Sequence, residues 1–252
     1  MKKIMGIDIS SKSTGWAVIQ GDKLLEFGKI NPTGTMSAAQ KLFYFHVELE
    51  RIIAKQQPEE IAVEDVVQVK SVSVVKILAR FNGVAVVESY RYLQRDPMMF
   101  EPTQWKKLVK GCTGGSKKCD VQLSVCEMYN LLPKDKIEFY RNKINDIRNQ
   151  LGENNDAKKI SLKDLNKQLK KYKYKESSDG LSIEDRQKKV NDLRRQIDAV
   201  KSQNDSSRKK NKKEASKLFD DISMQIYTES SINEDIADAV GVAIAFQKTQ
   251  GV

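Results

Sequence analysis

The first thirty residues carry the period of two that a β-strand imposes. Lys3, Met5, Ile7 and Ile9 alternate with Ile4, Gly6 and Asp8. Two further apolar runs follow, Thr14 to Ile19 and Leu24 to Ile30, with Gly21-Asp22 between them where a hairpin turn belongs. The period then lengthens. Ser37 to Gln40 has the Ser-x-x-Gln form of a capping box, and Leu42, Phe45, Leu49, Ile52 and Ile53 recur at helical spacing behind it. Pro58 ends that helix, and Ile61 to Val63 make a short buried strand. Ser73 to Leu93 is helical again, and Gly83 inside it implies close packing at that point. A strand at Met98 to Phe100 precedes Pro102, which suits the first turn of a helix running through Val109. Gly111, Gly114 and Gly115 make a loop, residues 120 to 132 another helix, and Ile232 to Lys248 a last helix of core composition. The order predicts an α/β fold with a mixed sheet whose first three strands are an antiparallel meander.

Between the last two core helices the pattern changes. Ile137, Tyr140, Ile144, Ile147 and Leu151 step by three and four, as do Leu162, Leu165, Leu169 and Tyr172, and again Val190, Leu193, Ile197 and Val200. These are coiled-coil seams, with interruptions expected at Gly152 to Asp156 and near Ser177 to Gly180. Gln203 to Asn211 is polar without a seam and reads as disordered. The expected organisation is a core in two pieces, 1–133 and 227–252, separated by a charged helical insertion over 134–226.

Charge sharpens this division. The chain has 252 residues and a net charge of +10. Residues 134 to 220 hold 25 basic and 15 acidic side chains, so the whole excess sits in that block. A cationic helical segment meets a polyanion, of which nucleic acid is the commonest. No stretch approaches the roughly 20 apolar residues that span a bilayer. Three cysteines, Cys112, Cys119 and Cys126, form no disulfide framework. They suit a reducing cytoplasm, and seven-residue spacing with a single histidine, His46, argues against zinc. No organic cofactor and no membrane are expected.

Four acids stand where acids are costly. Asp8 ends the first strand inside Gly6-Ile-Asp-Ile-Ser10, and Glu64 ends the strand Ile61-Ala-Val-Glu64. Asp235 and Asp238 share one face at the start of the last helix. Asp65 and Glu234 are accounted for as strand-end and helix-dipole residues. If a helix lies across adjacent strand ends, the four converge and require a compensating charge. Oxygen-only ligation selects Mg²⁺ or Mn²⁺, and two such ions about 4 Å apart can clamp both oxygens of a phosphodiester displacement. A glycine-rich loop, Gly111 to Lys118, lacks the form of a nucleotide phosphate loop and reads better as a basic DNA contact. The candidate phosphate contacts there are Lys106, Lys107, Lys110, Lys117 and Lys118.

In combination these segments resemble the RuvC-type Holliday junction resolvases, of the ribonuclease H-like fold. Gly6-Ile-Asp8 with Ser11 and Thr14-Gly15 resembles that family's first motif, Ile61 to Glu64 its second, and Asp235 to Ala245 its third. Leu78 to Val87 is similar to the helix after the second motif. The region of Pro102, Lys106, Gly111, Lys118 and Val121-Gln122 is similar to its DNA-contacting helix and loop. The resemblance implies a homodimer that nicks four-way DNA junctions with Mg²⁺. Asp8, Glu64, Asp235 and Asp238 would be the metal ligands and Lys106 and Lys118 phosphate contacts. The long apolar helix Ser73 to Leu93 is the candidate dimer interface. The chain departs from the family pattern at Ile9-Ser10, where Pro and Gly are usual, at Val67, where many members carry an aromatic, and in the insertion. Such departures fit a bacteriophage or mobile-element member. Two other readings stay open here: a non-catalytic nucleic-acid scaffold of the same fold, and a nuclease for RNA or RNA–DNA hybrids.

Overall fold

Strands β1 (Lys3–Asp8), β2 (Thr14–Gln20) and β3 (Lys23–Ile30) form the expected antiparallel meander, with Gly21 in the left-handed region (φ 59°) at the tight β2–β3 turn. Helix α1 (Ala38–Gln56), capped by Ser37 and Gln40 in a reciprocal box, returns the chain to β4 (Glu60–Glu64), which pairs parallel to β1. Helix α2 (Val72–Leu93) crosses to β5 (Met98–Phe100), parallel to β4. The sheet order is β3-β2-β1-β4-β5. Helices α3 (Pro102–Leu108), α4 (Lys118–Met128), α5 (Lys134–Tyr174), α6 (Ile183–Ser230) and α7 (Glu234–Gln250) follow. The computed structural model describes residues 1–67, 71–174 and 183–251. This mixed five-stranded sheet flanked by helices is the α/β arrangement expected. Among the described residues no helix is long and apolar enough to cross a membrane.

Strand parity sorts the sheet into two faces. Met5, Ile7, Trp16, Val18, Ile61 and Val63 point to one side, where they join Phe45, Leu49, Ile52 and Ile53 of α1 and Phe81 and Ala85 of α2 in one core. The alternate residues, Ile4, Gly6, Gly15, Ala17, Ile19 and Ala62, belong to the other face. There α7 lies on β1 and β2, with α3 and α4 packed beside it. Every residue of α7 from Ile236 to Phe246 is buried. The closeness of this contact depends on two glycines. A Cβ on Gly6 would collide with the carbonyl oxygen of Ala239 and lie 2.8 Å from the Ala243 nitrogen; one on Gly15 would collide with the carbonyl of Asp235. Helix and strand backbones therefore touch directly.

By contacts the chain divides into two compact units, 1–141 with 221–252, and 142–220. Within the second, Ile144 and Ile147 of α5 and Val190, Leu193, Ile197, Ala215 and Phe219 of α6 are buried, at the steps of three and four that mark a seam. Leu165 and Leu169 are half-buried.

Several expectations need correcting. Helix α5 runs unbroken through Gly152 to Asp156. One glycine costs a helix interior only about 1 kcal/mol, and the polar residues after it keep their backbone hydrogen bonds. Gln203 to Asn211 is helical within α6, because charged pairs such as Lys201–Asp198 and Lys210–Glu214 flank it and the buried Ala215 and Phe219 continue the helix beyond. Gly83 is not closely packed: a Cβ there would meet nothing within 4 Å. Helix α4 stops at Met128, before Asn130 turns left-handed (φ 53°), and α7 starts at Glu234 because the Asn233 side chain caps it. The interruption expected near Ser177 to Gly180 lies outside the described residues.

Because Gly6 leaves no room for a methyl group, Gly6→Ala is expected to lower unfolding free energy by about 1–3 kcal/mol. Urea titration of the two proteins checks this, and equal midpoints would refute the backbone-contact account.

Candidate active site

Asp8 is the last residue of β1 and Glu64 the last of β4. The register pairs Ile7 with Val63, so the two carboxylates stand side by side at the carboxyl ends of neighbouring parallel strands. Parity aims both at the face covered by α7, outside the strand ends where open α/β sheets commonly bind ligands. The close seating of α7 brings Asp235 and Asp238, one turn apart, to the same place. Each of the four is near enough to another to be felt electrostatically. The charges of Glu64, Asp238 and Asp235 all act on Asp8. Among the described residues, however, no three acidic, histidine or cysteine side chains meet as a ready-made metal cage.

Hydrogen bonds fix two of the four in different ways, and a third is left with an unpartnered oxygen. Glu64 Oε2 accepts a 2.8 Å bond from Trp105 Nε1, and its backbone carbonyl accepts one from Asn82 Nδ2 at 3.2 Å. Asp235 Oδ2 accepts from Ser13 Oγ at 2.6 Å and from Asn233 Nδ2 at 3.3 Å. Asp238 is buried, and its Oδ1 has no hydrogen-bond partner. A buried carboxylate oxygen without a donor is costly, and a hard cation is one group that satisfies it. The donor set is all oxygen, so the residues present fit a hard divalent ion.

The electrostatics report the same crowding. Burial, then the charges of Glu64, Asp238 and Asp235, pushes Asp8 well above the ordinary carboxylate range. Burial raises Glu64, opposed by the Trp105 hydrogen bond and by Lys106 and Lys118. Burial also raises Asp238, with Lys106 and Lys118 opposing and Glu64 and Asp235 adding to it, to about 7. Lys118 is half-exposed, and its Nζ bonds Glu234 Oε2 at 2.7 Å. Burial works against its charge, but Glu234 and the nearby Asp238 and Asp235 outweigh that and raise its pKa.

Of the five lysines, Lys106 and Lys118 therefore act on the acid cluster. Lys107, Lys110 and Lys117 are exposed on the end of α3, the following loop and the cap of α4. Val121 and Gln122, which resemble part of a DNA-contacting helix, are buried instead. Gln122 Nε2 donates to the carbonyls of Ser223 (3.2 Å) and Ile232 (2.8 Å), and its Oε1 accepts from Ser223 Oγ. It ties the end of α6 and the start of α7 to the core. Thr14 is buried too, locking the β1–β2 loop through Ser10.

Two site residues escaped the sequence reading. Trp105 is fully buried; its ring lies against Gly241 of α7, where a Cβ would collide with it, and Lys106 Nζ stands 5.3 Å from its centre. A buried indole usually finds an acceptor for its N–H, and this was the available signal: a tryptophan adjoining Lys106 in a short helix. Ser13 lies in a run of hydroxyl residues that marks a loop, with no local cue that its partner is 222 residues away.

The three carboxyl shifts resolved within the acid cluster, at Asp8, Glu64 and Asp238, all raise the folded pKa above the unfolded value of about 4. Groups of this kind favour folding while protonated, and that contribution is lost as pH rises through the folded values, about 7 for Asp238. The metal-free protein should therefore lose thermal stability from pH 5 to pH 8, and Asp238→Asn should shrink the loss. Melting curves in chelator test it; an Asn variant as pH-sensitive as the parent would contradict it.

Residues 4–142 match the family model of the crossover junction endodeoxyribonuclease RuvC. Over 132 residues the chain is 28% identical to the enzyme of that name from Alkaliphilus oremlandii, covering 51% of this chain and 79% of the relative. Over 137 residues it is 31% identical to that from Ruminiclostridium cellulolyticum, covering 52% and 81%. Among solved structures, RuvC of T. thermophilus in complex with a Holliday junction substrate aligns with TM-score 0.47 and 20% identity, over 53% of this chain and 82% of that one. The family match holds Asp8, Glu64 and the five lysines. Asp235 and Asp238 lie beyond it, so their place beside Asp8 comes from the geometry.

Proposed function

The chain belongs to the RuvC family of crossover junction endodeoxyribonucleases, and from that premise we propose that it nicks four-way DNA junctions at the cluster of Asp8, Glu64, Asp235 and Asp238. The observation that carries the assignment is the pairing of Asp8 and Glu64 on adjacent parallel strand ends beneath α7, with the partnerless Asp238 oxygen among them. The four carboxylates would hold Mg²⁺, two ions in the family-like arrangement, with Mn²⁺ able to substitute. When bound, such ions polarise the phosphodiester and activate water.

The protein's own groups do the rest. Trp105 orients Glu64 by its N–H, and Ser13 and Asn233 orient Asp235. Lys106 and Lys118 offset the clustered negative charge and are the nearest cations for a phosphate entering it. Lys107, Lys110 and Lys117 extend positive charge over the neighbouring surface, where they would hold the backbone without reading sequence. A DNA substrate and three free thiols fit a cytoplasmic protein.

Purified protein with Mg²⁺ should cut a four-way junction in preference to fork, RNA–DNA hybrid and linear duplex. Asp8→Asn, Glu64→Gln, Asp235→Asn and Asp238→Asn should each slow cleavage by roughly 10³-fold or more, the several kcal/mol a lost metal is worth, while junction binding survives. Near-normal turnover in any two would sink the assignment, and preference for the hybrid would move the enzyme to another substrate class.

Symmetric nicking of a junction needs two facing sites, which a two-fold dimer supplies. Helix α2 exposes Val74, Ile77, Val87 and Tyr90, and α1, packed beside it, exposes Phe43 and Val47. Such an apolar surface suits an isologous contact. Ile77→Glu combined with Val87→Glu should convert a dimer into a monomer by sedimentation at micromolar concentration. A parent protein that sediments as a monomer would refute the dimer.

A further inference from the structure

The family match ends at residue 142, and the unit that follows holds nearly all of the chain's excess charge. Residues 142–220 carry 22 basic and 13 acidic side chains, a net +9, against 22 and 21 in the rest of the chain. Within α6 the imbalance concentrates further: Arg208 to Lys217 contains six basic residues and one acid, Glu214.

Packing fixes which way that segment faces. Ala215 and Phe219 are buried and define the inner side of the helix. At about 100° per residue, Lys209, Lys213, Lys217 and Lys210 fall on the opposite side, within about 100° of one another. All four are exposed. Glu214 approaches Lys210 only to 4.0 Å, and among the described residues Lys209, Lys213 and Lys217 make no ion pair. The stripe is about 12 Å long at 1.5 Å per residue. A helix serving only as a solvated spacer intersperses both signs of charge, which keeps it soluble without self-repulsion. Here four like charges are stacked on one ridge, a repulsive arrangement in isolation that a polyanion relieves. The four residues of the ridge are all lysine. Lysine is a point charge suited to phosphates, not a bidentate reader of base edges.

We propose that the ridge Lys209–Lys210–Lys213–Lys217 is a second, sequence-independent contact for the phosphate backbone of duplex DNA. Acting on a junction, it binds the duplex flanking the crossover; this part rests on the branched-DNA reading above. Duplex DNA presents a phosphate about every 1.7 Å of axis, so a 12 Å ridge spans several.

The test uses the full chain in two variants, all four lysines changed to Gln or all four to Arg, both compatible with helix. Dissociation constants for a labelled four-way junction and a linear duplex are measured without divalent metal across a salt series, with helicity checked by circular dichroism. Each phosphate contact contributes about 0.9 to the slope of log affinity against log salt. The Gln variant should lose about 0.9 of slope for every lysine in contact, about 3 to 4 for the whole ridge, and bind at least about 10-fold more weakly at 0.1 M salt. The Arg variant should bind as the parent does. An unchanged slope in the Gln variant, as expected if the ridge meets a protein, overturns the proposal. So does equal weakening by Gln and Arg, which would make helix geometry and not charge responsible. Junction cleavage by the parent protein is followed in parallel. A changed slope with no cleavage would refute the nuclease reading and leave the ridge standing.

Discussion

The contact on which this molecule turns is backbone against backbone: helix α7 resting on β1 and β2 at Gly6 and Gly15. An ordinary helix–sheet interface keeps the two apart by a layer of side chains. Here that layer is missing at two points, and the helix sits deeper by roughly the depth of a side chain. The depth matters because Asp235 and Asp238 are part of the helix while Asp8 and Glu64 are fixed to the sheet. Neither pair alone is unusual. Pressed together by an apolar contact, they become a site, and the burial of α7 from Ile236 to Phe246 supplies the driving force that holds like charges in proximity.

That proximity is unfavourable in itself, and its surroundings show how it is moderated. Trp105 gives Glu64 a hydrogen-bond donor without adding charge, Ser13 and Asn233 do the same for Asp235, and Lys106 and Lys118 supply positive charge. Asp238 has the two lysines beside it but also a buried oxygen that no hydrogen bond satisfies. The gradation from well-anchored Asp235 to unsatisfied Asp238 is what a cation site requires. Some ligands are positioned in advance, and the remaining imbalance favours the ion.

Much of this was legible in the sequence because the relevant signals were local. Period-two alternation placed Asp8 at a strand end, the short apolar run Ile61 to Val63 did so for Glu64, and core composition marked the last helix as buried. What could not be read was pairwise and long-range. Nothing near Trp105 says that its N–H meets a glutamate 41 residues earlier, and nothing near Ser13 points to Asp235. Gln122 shows the opposite failure: a polar residue in a region likened to a DNA-contacting helix proved fully buried, donating to two backbone carbonyls from distant segments. Gly83 and the run Gln203 to Asn211 misled because composition alone was asked to report packing and order. Helix continuity there is decided by neighbouring turns.

The long helices enter and leave the core at one place. Tyr140 and Lys136 near the start of α5 both reach Glu229 near the end of α6, at 2.9 and 3.2 Å, and Gln122 grips the chain at Ser223 and Ile232. The core therefore treats everything between as a closed loop whose ends are already joined, so its length adds little to the cost of bringing α7 home. The order of synthesis gives this a further meaning. The ribosome completes the sheet at Phe100, with Asp8 and Glu64 already made, about 135 residues before it makes Asp235. At roughly 5–20 residues per second that interval lasts on the order of 7 to 27 seconds. Throughout it the growing chain holds half of its carboxylates, and one face of its sheet lacks the helix that covers it. The nascent protein is thus a candidate client for chaperones before it can cut DNA.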